Sequence, residues 1–198
     1  MSNLTILGDT SGSVVLQAPA VSGSTVLTLP VGTGTVVANN VNSAIVSGTA
    51  VSASGTSVDF TGIPSWVKRV TVMLSGISTN GSSNLRFQIG TGGSPTTSGY
   101  AGSNHWQSGS SGFSASNSAG IDFNINASSS TIFVGSIVCV NLTGNTWVIT
   151  GQLSYENSAA SQWSSGKVAL GGVLNMVRTT TVNGTDTFDA GSINILYE

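Results

Sequence analysis

The sequence predicts an all-β protein: a short N-terminal arm of β-strands, then a larger antiparallel β domain. Three observations carry this. Apolar and polar residues alternate at period two, and a helical period fits nowhere for more than a turn. Clusters of Gly, Pro, Asn and Ser break the alternation roughly every 8–12 residues, the rhythm of a sandwich, jelly roll or barrel. Runs of Ala, Glu, Lys, Leu and Arg are absent, while β-branched residues, Gly, Ser and Asn dominate.

The arm is residues 1–45. Short strands are expected near Leu4–Leu7, Val14–Gln17, Val26–Leu29 and Thr35–Val37. Turn clusters separate them: Gly8-Asp9-Thr10-Ser11-Gly12, Ala18-Pro19, Ser22-Gly23-Ser24, Pro30 and Gly32-Thr33-Gly34. Such strands make a poor core alone and need another surface, either the rest of the chain or copies of themselves. Leu4, Ile6, Val14, Leu16, Val26 and Leu29 are therefore the candidate anchor or oligomer contacts.

The second domain is residues 46–198. Expected strands here, the first beginning at the boundary, are Ile45–Val51, Ser57–Thr61, Val67–Ile77, Asn84–Gly90, Ala119–Ile125, Ile132–Leu142, Trp147–Tyr155, Lys167–Met176 and Ile193–Tyr197. Val70, Val72 and Leu74 share one face of their strand. Leu85, Phe87 and Ile89 face inward, with Arg86 and Gln88 outward. The run Ile132–Val140 is apolar on both faces, as in a central strand buried on both sides or one at a subunit contact. Residues 90–120 are rich in Gly, Ser and Asn yet carry Tyr100, His105, Trp106 and Phe113. A structureless loop of that length does not suit a compact domain, so irregular strands are expected around Ser98–Gln107, with an exposed tip.

Charge is scarce. Charged residues make up 6% of the chain, against roughly 25% in ordinary globular domains. Lys and Arg total 5, too few to neutralise a phosphate track, so no nucleic-acid partner is expected. No long apolar run or basic amphipathic segment suits a membrane, and the N-terminus lacks the pattern of a secretory signal. A single cysteine excludes an internal disulfide and a cysteine zinc site.

Catalytic chemistry is nearly absent. His105 is the sole histidine, and no Gly-x-Ser-x-Gly elbow leads into a helix. The close acidic pair Asp186 and Asp189 lies in the turn-like stretch Asn183-Gly184-Thr185-Asp186, where Asp caps its own backbone. Cys139, between Val138 and Val140, reads as a small hydrophobe. No enzyme activity, metal or cofactor is expected. Trp147 reads as core, and Trp66 as a plug at a strand entrance. Trp106 and Trp163 stand among polar neighbours. Such aromatics stack on sugar rings, anchor a protein partner, or pack under their own loops or between subunits. Tyr100, His105, Trp106 and Trp163 are the candidate ligand contacts.

The stretch from Thr5-Ile6-Leu7-Gly8-Asp9 through Thr25-Val26-Leu27-Thr28-Leu29-Pro30 resembles a module of tailed-bacteriophage virion proteins, especially tail fibres. The stretch Val58-Asp59-Phe60-Thr61-Gly62-Ile63-Pro64-Ser65-Trp66-Val67, continuing through Ser78 and into Leu85–Gly90 and Thr97-Ser98-Gly99-Tyr100, resembles the C-terminal domain of such fibres. The resemblance implies a homotrimeric β protein of the virion surface. The arm would join other virion proteins of the tail or capsid, and the outer domain would contact a host surface such as a glycan. Head-decoration and head-fibre proteins share this plan. The module stands at the start of the sequence, which widens the expectation to a short accessory fibre or a capsid decoration. The expected whole is a short β arm followed by a jelly-roll-like antiparallel sandwich, homotrimeric, with no catalytic residue. A free-standing carbohydrate-binding module is the alternative of another class.

Overall fold

The computed structural model describes residues 3–7, 13–17, 45–123 and 128–198. The chain divides into two compact units, Met1–Val37 and Ala38–Glu198. In the first, β1 (Asn3–Leu7) pairs antiparallel with β2 (Ser13–Gln17), setting Leu4 opposite Leu16 and Ile6 opposite Val14. Val26, Leu29 and the strands expected at Val26–Leu29 and Thr35–Val37 lie outside the described residues.

The second unit is all-β. In chain order its strands are β3 (Val46–Ser47), β4 (Val51–Ser52), β5 (Ser57–Thr61), β6 (Arg69–Thr79), β7 (Leu85–Thr91), β8 (Ser94–Pro95), β9 (Ala101–Ser108), β10 (Ser111–Asn117), β11 (Ile121–Phe123), β12 (Phe133–Thr143), β13 (Thr146–Tyr155), β14 (Ala160–Ala169), β15 (Met176–Thr181) and β16 (Phe188–Tyr197). They form a nine-stranded and a five-stranded sheet. β3 and β4 both pair with β16, then β6 and β12 follow in one sheet; β5, β15, β7 and β11 follow one another in the other. That interleaving of eight positions is a jelly roll. Two hairpins are inserted into it. β13–β14 continues the large sheet past β12, and β9–β10 continues it past β14.

The alternation seen in the sequence builds the core. Val70, Val72 and Leu74 of β6 are buried, as are Leu85, Phe87 and Ile89 of β7. Gln88 differs from expectation: it is buried, and its Nε2 donates to the carbonyl of Ala119, which covers that face of β7. β12 is central but buried on one face only. Phe133, Ile137 and Cys139 point into the core, while Val140 on the other face is 44% exposed. Burial pushes the Cys139 thiol well above its ordinary pKa. The strand expected at Lys167–Met176 is instead the end of β14 and the start of β15, interrupted around Gly171-Gly172. The expected strand at Ile45–Val51 is two short pieces. The segment 90–120 holds a regular hairpin, β9–β10, turning at Gly109 with φ of 56°.

Two close backbone approaches need glycine. At the irregularity between β6 and β16, Gly191 has φ of 90°, and a Cβ there would run into the carbonyl of Gly76. Across the sandwich, β11 lies on the inserted hairpin: a Cβ on Gly166 would sit 2.8 Å from Ile121 Cδ1, and one on Gly151 would strike the Phe123 ring. Gly191→Ala is expected to destabilise the second unit by about 1–3 kcal/mol, from left-handed backbone strain and the clash. Gly171 has nothing within 4 Å of a built Cβ. Gly171→Ala should be neutral or stabilising by about 0.5 kcal/mol through the unfolded chain. Urea denaturation of both variants checks the contrast.

Candidate functional site

The inserted hairpins carry three of the four aromatic or histidine candidates. His105 of β9 and Trp163 of β14 are register partners on the outer face of the large sheet. Their rings stack at 4.5 Å and 32°, and His105 Nδ1 lies 2.8 Å from Ser114 Oγ. Trp163 is 45% exposed and edges an open depression of about 380 Å³ that includes Ser136, Val138, Thr150, Gln152 and Ser165.

That depression belongs to a wider surface. Register places His105, Trp163, Gln152, Ser136, Met73 and Asn194 in one row across six strands. Ser103, Ser165, Thr150, Val138, Thr71 and Leu196 form the next. None of these residues is buried and none is charged. A third row sets Val148 opposite Val140, flanked by Lys167 and Arg69; Arg69 pairs with Glu198 at 3.1 Å.

Trp106 alternates to the inner face. With Tyr155, Ser108, Thr131, Asn157 and Ser158, among others, it lines a pocket of about 320 Å³. The pocket opens between the end of β9, the β13–β14 turn and residues 128–131. Tyr155 meets Phe133 edge-on at 5.1 Å. Asn157 Nδ2 donates to the Ser130 carbonyl at 2.6 Å, tying the turn to the opposite wall. Deeper in, Asn104 Nδ2 donates to Asn117 Oδ1, and Asn117 Nδ2 to Ser164 Oγ.

Tyr100 is a correction. It is buried, and its hydroxyl bridges the backbone of Ile89, accepting from the N–H at 2.9 Å and donating to the carbonyl at 3.2 Å. It offers no stacking face, and burial raises its pKa. Trp147 is core, and Trp66 packs on Tyr197 at 6.0 Å. Sequence reasoning missed Tyr155, Thr131 and Asn157. Nothing in their local pattern marks them, because the pocket is assembled from three separate segments.

The acidic pair is split between two structural tasks. Asp189 accepts from the Ser78 hydroxyl. Asp186 accepts from Asn183 Nδ2 at 2.7 Å and from the Ser83 amide at 2.8 Å, pinning the β6–β7 connection to the β15–β16 connection. Among the described residues no group of three His, Cys, Asp or Glu could hold a metal ion. Comparison with protein families, curated proteins and solved structures finds no match to the chain.

The hydrogen bonds from Asn183 and Ser83 hold the Asp186 carboxyl below its ordinary value. A depressed folded pKa means the contribution is complete above the unfolded value, about 3.9, and is lost as pH falls through the lower folded value. The Ser83 amide resonance should therefore stay fixed down to about pH 4 and move only below it. Asp186→Asn should abolish that movement in an NMR titration.

Proposed function

We propose that the protein is a non-enzymatic structural component of a bacteriophage virion, a homotrimeric surface fibre of tail-fibre type. In this reading residues 1–45 anchor the protein to other virion proteins, and the jelly-roll domain stands outward toward the host surface. The observation that carries it is the outer face of the large sheet. A solvated face of an antiparallel sheet ordinarily alternates to charged and polar residues. Here two rows spanning six strands carry no charge, and Met73, Val138, Leu196 and Trp163 lie among hydroxyls and amides.

Two rows without charge meet copies of themselves with no like-charge repulsion and little ionic desolvation. Around a three-fold axis each copy would meet two neighbours, and the ring closes. The separate hairpin unit supports the anchoring role, as does the resemblance of both segments to phage fibre modules. The charge-poor composition fits an exposed particle whose assembly responds weakly to salt.

Mass photometry should give about three times the chain mass of 19.8 kDa. Val138→Asp, which plants a charge in the middle of the face, should give monomers with an unchanged circular dichroism spectrum. A monomeric wild-type chain would remove the trimer, and an intact Val138→Asp trimer would move the interface elsewhere. A chain beginning at Ala38 should keep the second unit folded and fail to enter virions. Normal incorporation would remove the anchor role.

A further inference from the structure

We propose that the Trp106 pocket is a binding site for a neutral saccharide ring. Its role as a host contact rests on the virion reading above; its chemistry does not. The lining has three properties that together define the ligand class. The first is charge: no Asp, Glu, Lys, Arg or His appears among the lining residues, which include Ser108, Ser128, Ser130, Thr131, Asn157 and Ser158. A charged ligand would enter without a counter-ion, so a neutral one is favoured. The second is the mixture of two aromatic rings, Trp106 and Tyr155, with five hydroxyls and a carboxamide. Apolar faces beside many donors and acceptors suit a pyranose, whose C–H faces pack on aromatic rings while its hydroxyls hydrogen-bond at the rim.

The third property is unused hydrogen-bonding capacity. Thr131 is 7% exposed; its Oγ1 accepts from the Ser128 amide at 3.3 Å, which leaves its own O–H to donate. Ser128 Oγ and Ser130 Oγ lie 2.6 Å apart, and only one of them donates in that bond, so one hydroxyl hydrogen is left over. Trp106 Nε1 is buried with no acceptor. Its cross-strand partner Gln162, at 0% exposure, has neither amide atom bonded, and Asn104 Oδ1 two residues before Trp106 is likewise unpartnered. Buried polar atoms left unsatisfied destabilise a fold, so the unpartnered Trp106 Nε1 in the pocket wall calls for an acceptor from outside the chain. Gln162 and Asn104 do not line the pocket; they lie on the same inner face of β14 and β9, in register with Trp106 or two residues from it. A volume of about 320 Å³ suits one sugar residue, with the open side leaving room for the rest of a chain.

The test uses the full chain on an array of neutral and acidic oligosaccharides. Ligand-detected NMR follows with glucose, galactose, mannose, rhamnose and N-acetylglucosamine. Neutral glycans should bind. Trp106→Ala should weaken binding roughly tenfold or more, and Val173→Ala, at an exposed position of the β14–β15 connection, should leave it unchanged. Because Trp106 is partly buried, Ser158→Trp provides the second variant: it places a bulky ring at an exposed position of the rim and should abolish binding while the protein stays folded. No glycan binding, binding of acidic glycans alone, or binding insensitive to Ser158→Trp would overturn the site. The same preparations are weighed by mass photometry. A trimer that binds no glycan removes the pocket and keeps the fibre reading; a monomer that binds neutral glycans does the reverse.

Discussion

A nine-stranded sheet packs against a five-stranded one, and this mismatch in width governs the second unit. Two sheets of equal width would bury each other's inner faces completely. Here the large sheet overhangs by the strands of two inserted hairpins. β11 covers part of the overhang, and it does so by pressing Ile121 and Phe123 onto Gly166 and Gly151, where the missing side chains let the layers approach. Among the described residues, the small sheet has no strand beyond β11. The inner surface changes there from aliphatic to polar, through Asn104, Asn117, Gln162 and Ser164, and ends in the Trp106 pocket. Core, buried polar layer and pocket are successive consequences of one geometric inequality.

The sparse charges follow the strand register too. Arg86 and Asp122 are opposite each other on β7 and β11 and form a bidentate pair at 2.7 and 2.8 Å. Arg178 and Asp59 do the same on β15 and β5 at 2.7 and 2.6 Å. Both pairs belong to the small sheet, and each joins an edge strand to its neighbour. Planar guanidinium and carboxylate groups at directly opposed positions fix register as well as adding attraction. The large sheet has no such pairs in its two charge-free rows, and its register is carried by backbone bonding and the apolar inner face.

The sequence made the jelly-roll strands legible wherever alternation was strict. β5, β6, β7, β12 and β13 were each anticipated within a few residues, β6 and β7 from their alternation and β12 from its continuous apolar run. Legibility weakened where both faces are polar: strands were expected around Ser98–Gln107, where β9 lies, while β10 and the first half of β14 were not anticipated. β9, β10 and the first half of β14 have small and polar inner residues, so Asn104, Gln162 and Ser164 gave no period-two hydrophobic signal although they are as buried as the core. The join between β14 and β15 was read through as one strand because Val168, Leu170 and Leu174 stay apolar across the break. Composition put four ligand candidates side by side, of which His105, Trp106 and Trp163 lie on the inserted hairpins. It could not tell Tyr100, whose hydroxyl is taken by the backbone of Ile89, from a ring that faces solvent.

Trp106 and Trp163 looked alike in sequence, each a tryptophan among Ser and Gln. Their difference is one of parity. Trp163 is the register partner of His105 and shares its outer face; Trp106 is the next residue along β9 and must point the other way. A surface that joins copies and a surface that receives a small ligand would obstruct each other on one side of a sheet. On opposite sides they do not, and burial of the Trp163 face in an assembly would leave the Trp106 pocket open. That separation is available only because the sheet overhangs. In a sandwich of matched sheets the inner side of β9 would be core, and a tryptophan there would have no opening beside it.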